Sequence, residues 1–372
     1  MRTTYLRSRS WFRHAAGFAP ELRVGVVCAA VVAMVACGSS SDGSKVGTGG
    51  SGNVGQAGTL MLIIGNGGDG SSTGGAGVGT GGSDPGPYML PAGFTPETKG
   101  GYKLGDPISD GAGGGAGSSA GGSAGAAPGG CGTQILGVVR DFKGINEMGG
   151  HPDFEHYAGT DASIGIVMND LGTDQKPVYA TAGGGPFIDT AVNGDANNGQ
   201  QTTSKADFDQ WYRATPGVNK PYIVYLYFEP NNGVLTFESE AFFPLDNAGW
   251  GNTCAMEDTK KCPKQPHNFG FTTEVHTRFN YKGGETFAFT GDDDLWVFIN
   301  NKLAIDLGGL HQSTSKTVSL DAAAKALGIT VGSAYNLDLF HAERHTSASN
   351  FRVDTNLEFT NCGTVIPDNP PK

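Results

Sequence analysis

No stretch of this 372-residue chain reaches the roughly 20 apolar residues that a helix needs to cross a bilayer. Basic charge is short too. Lys and Arg number 25 against 36 Asp and Glu, a net charge of −11. A protein that grips a phosphate backbone presents a basic face, so nucleic acid is excluded as a partner. Without residues 1–36, which carry five Arg and one Glu, the balance falls to −15. The six cysteines contain no CxxC pair, which argues against a zinc knuckle. Glycine is abundant instead: 33 of 61 lie between Gly38 and Gly130. That quarter of the chain cannot bury a core, and what remains suffices for one large domain.

The first residues read as an address. Arg2, Arg7, Arg9, Arg13 and Arg23 precede the short apolar run Val24–Ala36, the pattern of an export signal. The run ends Met34-Val35-Ala36-Cys37-Gly38, which resembles the bacterial lipobox. Cys37 is therefore expected to carry lipid and hold the protein to a membrane, with the outer membrane or cell surface as the expected location. The alternative is an ordinary cleaved signal. With Cys28 leaving in the signal and Cys37 taking lipid, four cysteines remain for an oxidising compartment. Three pairings are open; the favoured one joins Cys254 to Cys262 and Cys131 to Cys362.

Residues 37–130 are expected to form a flexible tether, residues 131–362 the domain, and residues 363–372 a tail. A Gly/Ser-rich coil of this length reaches on the order of 50 Å. Low complexity also counterfeits motifs. Leu60–Ile64 followed by Gly65-Asn-Gly67-Gly-Asp-Gly70 mimics a dinucleotide fingerprint, but Ser71-Ser-Thr-Gly-Gly-Ala-Gly cannot supply the helix the site requires, so no nucleotide is expected. Gly121-Gly-Ser123-Ala-Gly125 mimics a nucleophile elbow without strand or helix. The patch Leu60–Ile64 reads either as an added edge strand or as an unstructured sticky spot. Around Pro87–Asp110 the chain is less repetitive and is expected to pack loosely.

From Gln134 onward the pattern is β. Ile135–Phe142 is strand-like. Tyr222–Phe228 and Val234–Glu238 flank Asn231-Asn-Gly233, and Thr272–Tyr281 and Glu285–Thr290 flank Lys282-Gly-Gly284, so both predict hairpins. Leu295–Ile299 is apolar at every position and predicts a strand covered on both faces. Leu303–Leu307, Thr317–Leu320, Tyr335–Phe340 and Phe351–Phe359 complete the strands. Helices are predicted at Lys205–Arg213, capped by Ser204, and at Asp321–Gly328, with an Asp cap and a Gly stop. The fold class expected is all-β: an antiparallel sandwich or flattened barrel with two short helices after a long Gly-rich linker.

Several ordered motifs carry a resemblance: Arg140-Asp141-Phe142, His151-Pro-Asp153-Phe-Glu155, Gly291-Asp-Asp-Asp-Leu-Trp-Val-Phe-Ile-Asn300, Asp306-Leu-Gly-Gly-Leu-His311 and Leu339-Phe-His-Ala-Glu-Arg-His345. Together they resemble the fibro-slime domain of bacterial surface and slime-mould extracellular proteins, a variant of the PA14 β-barrel, over about Cys131–Cys362. The resemblance implies an extracellular, non-catalytic module that binds polysaccharide, slime or matrix. In sugar-binding PA14 adhesins an Asp-Asp pair joined by a cis peptide holds Ca²⁺. Matched to that motif, Asp292 and Asp293 form the pair, Asp294 stands where the family usually has Gly, and Asn300 or Asn301 adds oxygens. Oxygen-only ligands select a hard ion, and Ca²⁺ takes six to eight of them. The competing reading is an acidic turn of solvated, backbone-bonded aspartates.

His341, Glu343 and His345 would share one strand face, but the ends of that trio lie about 13 Å apart, too far for one metal. They and Arg344 are read either as ligand contacts or as a polar network closing the sheet end. Trp211 and Trp296 read as core. Trp250, on a loop beside the Cys254–Cys262 segment, is the candidate exposed ring, either stacking on a sugar or lidding the barrel. Two other functions stay open: a self-assembling matrix protein that binds other proteins, and a module accessory to carbohydrate hydrolysis. A hydrolase using the acidic turn itself would need two carboxylates about 5–9 Å apart flanking a cleft.

Overall fold

Alternating apolar residues build two sheets that share one core. The computed structural model describes residues 88–109, 131–156, 159–189, 199–253 and 266–366. In chain order these form β1 (Thr95–Pro96), β2 (Gly101–Pro107), β3 (Gln134–Phe142), β4 (Phe187–Ile188), β5 (Gln200–Thr202), α1 (Lys205–Phe208), β6 (Asn219–Tyr227), β7 (Glu229–Asn231), β8 (Val234–Ser239) and β9 (Phe271–Tyr281). There follow β10 (Thr286–Gly291), β11 (Asp294–Ile299), β12 (Lys302–Leu307), β13 (Thr314–Ser319), α2 (Leu320–Leu327), β14 (Ser333–Glu343), β15 (Phe351–Thr355) and β16 (Glu358–Asn361). The large sheet runs β1-β2-β6-β3-β9-β14-β11-β12, with β16 also on β9; the second runs β13-β10-β15-β8-β7. The pairings between these strands are antiparallel. This is the all-β antiparallel sandwich expected, with its two short helices.

The main core lies between the sheets. Val139, Val275, Leu295, Val297 and Ile299 from the large sheet meet Phe237, Phe287, Phe289, Phe351 and Val353 from the small one. Trp296 and Phe298 point to the opposite face of β11. There they join Phe142, Phe154, Phe208, Trp211, Tyr212 and Phe340 in a second cluster. Segments between β3 and β6 cover that face, so β11 is buried on both sides, as its unbroken apolar run predicts. Trp211 and Trp296 are fully buried.

Five expectations change. Residues 88–109 belong to the sandwich, because β2 pairs with β6, so the domain begins before Cys131. The Asn231–Gly233 turn joins β7 to β8 rather than to β6, because the chain changes sheets at Phe228. Asn232 and Gly233, at φ 48° and 82°, give that turn its left-handed pair. Lys282–Gly284 is not a hairpin: β9 and β10 lie in different sheets, and the Glu285 carboxylate accepts the amides of Lys282 (2.6 Å) and Gly283 (2.7 Å) at the crossing. Phe351–Phe359 divides into β15 and β16, one in each sheet. The first helix is a single turn, Lys205–Phe208, capped by Ser204 as expected; the second starts after Ser319 and stops at Gly328 with φ 65°.

Cys131 and Cys362 are disulfide-bonded, with Cα atoms 4.9 Å apart at a sequence separation of 231. Cys254, Cys262, Cys37 and Leu60–Ile64 lie outside the described residues. A bond closing so long a loop restricts the unfolded chain strongly. The double variant Cys131→Ser/Cys362→Ser is expected to lose about 2–4 kcal/mol of stability, read by urea unfolding.

Candidate functional site at the acidic end of the large sheet

Register brings the chemical residues to one end of the large sheet. Asp141 on β3 faces Phe271 on β9, and Phe271 faces Glu343 at the end of β14. Asp294 faces Ala342, so the turn Asp292–Asp293 sits just beyond β11 beside Glu343. Asp293 adopts φ 55°, the left-handed bend by which the turn departs from strand geometry. Adjacent residues of a straight strand point to opposite faces; here Asp292 engages Asn350, while Asp293 and Asp294 engage the main chain and the side chain of Arg344.

Asp292 accepts from the side-chain amide of Asn350 at 2.8 Å and from its main-chain N–H. Asp293 Oδ2 accepts the main-chain amides of Arg344 (2.8 Å) and His345 (3.0 Å). Asp294 accepts from Gly309 N and from Arg344 Nε, both at 2.6 Å. The peptide between Asp292 and Asp293 is trans, unlike the adhesin pair. Asn300 does not join them. It lies past the far end of β11, roughly 20 Å away at 3.3 Å per residue, and donates to the carbonyls of Leu327 and Gly328. Asn301 shares that distant turn. Among the described residues, no group of three or more His, Cys, Asp or Glu is arranged to hold a metal.

Arg344 and Glu343 are fully buried and lie on opposite faces of β14's end. Arg344 pairs with Asp294, donates to the carbonyls of Asp153 (3.0 Å) and Gln201 (3.1 Å), and lies 4.6 Å from the Trp211 ring. Glu343 faces the sandwich interior, and neither of its carboxylate oxygens has a hydrogen-bond partner. Burial and the charges of Asp293 and Asp292 push its pKa well up. Asp293 is raised as well, by burial that outweighs Arg344, with Asp294 and Asp292 adding to the rise. His341 is also fully buried, ringed by Phe271, Phe289 and Phe351, with both nitrogens unpartnered. Burial, helped by His311, pushes it down to about 3. His345 is half-buried beyond the strand end. His341 and Arg344 are therefore internal structural residues, not surface contacts.

Trp250 is half-buried. Its main-chain N–H donates to Asp141, and the ammoniums of Lys220 and Lys143 lie 3.7 Å and 4.3 Å from its ring centre. The expected exposed sugar-stacking platform thus has cations over its ring. Sequence reading missed a second buried network on the opposite face of the sheet. Arg140 (2.6 Å), Lys176 and His276 all bond Glu274, and His276 reaches Asp338 at 2.7 Å. Burial pushes Glu274 up, but Arg140 and Lys176 overcome it and hold the carboxyl well below its usual range. The signal was the i, i+2 pair Glu274 and His276 inside an otherwise apolar and threonine-rich strand.

Below pH 6.5 the unfolded chain protonates His341 and the folded one does not, so this residue removes stability as pH falls from 6.5 toward 3. His341→Leu is expected to raise stability by about 2 kcal/mol at pH 5 and to flatten that arm of the stability–pH curve. Arg344→Gln strands Asp294 and is expected to cost about 3–5 kcal/mol. Thermal and urea unfolding across pH check both.

Residues 230–369 match the model of the PA14 domain. The chain is 36% identical over 229 residues to protein psiC of Dictyostelium discoideum, covering 59% of this chain and 42% of psiC. It is 40% identical over 201 residues to protein psiD of the same organism, covering 53% of this chain and 36% of psiD. It thus spans less than half the length of these relatives. Among solved structures, a PA14 sugar-binding domain from an RTX adhesin aligns with 62% of this chain and 96% of its own, at 8% identity and a TM-score of 0.22.

Proposed function

We propose that the protein is an exported, surface-held binding module for extracellular carbohydrate, with the acidic end of the large sheet as its ligand end and calcium as the bridging ion. The PA14 match supports a binding module. One observation carries the cation: Glu343 is fully buried with both carboxylate oxygens unpartnered, in the same corner as Asp293. Glu343 has no counter-charge and Asp293 has only the guanidinium of Arg344, already paired with Asp294; two such buried carboxyls demand a proton or a cation. Asp293 and Glu343 would contribute carboxylates, and main-chain carbonyls, water and ligand hydroxyls would complete the shell. Bound calcium would supply a fixed positive point for sugar hydroxyls. Asp292, clamped by Asn350, and Asp294, clamped by Arg344, keep the turn in place. Lipid at Cys37 and the fibro-slime likeness complete the reading as a tethered surface protein.

Calorimetric titration of the whole protein with calcium is expected to release heat that Asp293→Asn abolishes. A glycan array is expected to give binding that a chelator removes. Absence of heat in the natural protein, or equal heat in the variant, overturns the calcium. Protein adducts on intact cells with no glycan signal would favour the matrix reading instead.

A further inference from the structure

At the same sheet end, Lys143, Lys220 and Trp250 form a cluster with no part in the acidic turn. Lys143 follows β3, Lys220 lies on β6 opposite Asp141, and Trp250 comes from the loop before β9. Both ammoniums converge on one indole, at 3.7 Å and 4.3 Å from its centre. Each uses a main-chain carbonyl, Lys220 that of Gly249 at 2.9 Å and Lys143 that of Met148 at 3.2 Å. An ammonium has three donors, so two remain on each. The indole attracts each of the two cations.

The loop is built to keep this arrangement. The Trp250 main-chain N–H is fixed on Asp141, and Asn268 holds the other oxygen of that carboxylate at 2.7 Å. Gly249 stands at φ 58°, and a Cβ there would lie 1.9 Å from Asp141 Oδ2, so only glycine delivers Trp250 to this place. Two acids lie near. Asp141 has its oxygens occupied, and burial pushes it up to about 7, so it does not fully neutralise the lysines; Glu147 accepts from Gly144 N at 3.1 Å. The chain as a whole is at −11, which makes a paired cation site a local exception.

We propose that Lys143, Lys220 and Trp250 form an anion subsite that makes the module prefer acidic polysaccharide, with uronate carboxylates as the group received. The proposal rests on the carbohydrate reading above and names its ligand class. Asp141, Phe271 and Glu343 occupy neighbouring strands, and the acidic turn follows on the next. The subsite therefore stands about 14 Å from that turn at 4.8 Å per strand, so an extended oligosaccharide could span both. The cations, rather than the ring face, make the contact.

The test compares the full-length protein with Lys143→Gln/Lys220→Gln, using oligogalacturonate, its neutral methyl ester, dextran and dextran sulfate as probes, with and without chelator. The expected result is at least tenfold tighter binding of oligogalacturonate than of its ester at low salt. That preference should survive the chelator, weaken with salt and vanish in the double variant, while dextran binding is unchanged between the proteins. Tryptophan fluorescence should respond to oligogalacturonate in the natural protein and not in Trp250→Phe. Equal binding of acid and ester, a preference retained by the double variant, or a preference for sulfate alone overturns the subsite. Neutral probes bound with no acid preference leave the carbohydrate reading standing and remove only this inference. No binding of any probe overturns both.

Discussion

A guanidinium taken fully out of water must find carboxylate and carbonyl partners or the fold fails, and Arg344 is that group here. Its side chain bonds Asp294 across the β11–β14 pair and the carbonyls of Asp153 and Gln201 in the covering segments. Its own amide holds Asp293, and its carbonyl accepts Glu155 N at 2.6 Å. One residue thus joins the end of the central strand, the acidic turn and the layer that covers the second core. The aromatic face of Trp211 completes the enclosure. The turn's position is set by this pairing.

The same constraint separates the acids by role. Asp294 has a cationic partner and Asp292 an amide clamp, so both are spent on structure. Asp293 has an amide pair on one oxygen, and Glu343 has nothing on either. The chemistry left over therefore sits on Asp293 and Glu343, inside the sandwich end rather than on its surface. Two residues back along β14, His341 makes that interior more hostile to charge, because three phenyl rings surround an imidazole that stays neutral.

What was legible in the sequence was whatever depends on local alternation. The unbroken run Leu295–Ile299 gave the doubly covered strand, Ser204 the helix start and Gly328 the helix stop. What was not legible depended on which sheet a strand joins. Lys282–Gly284 carries the composition of a hairpin turn and serves as a crossing, because Glu285 satisfies its amides and β10 finds partners far away in sequence. The site was half legible. The triple aspartate was legible as a turn that leaves strand geometry, but Asn300 was attached to it by nearness in sequence, although an extended strand carries six residues a long way. Glu343 and Arg344, neighbours in sequence, face opposite cores, and no composition signal separates their roles.

That separation bears on whether the turn could hydrolyse a glycosidic bond. Such chemistry asks two carboxyl groups to face each other across a space that admits a sugar, roughly 5–9 Å apart. Here each aspartate of the turn is buried and engaged by main-chain or guanidinium donors, and a general acid must release its proton to a substrate it can reach. Moving Asp294 would strand Arg344, and moving Asp292 would unseat Asn350 and the start of β15. Clamped in this way, the turn is a fixed element of the fold, unlike a pair of groups that must exchange protons in each turnover.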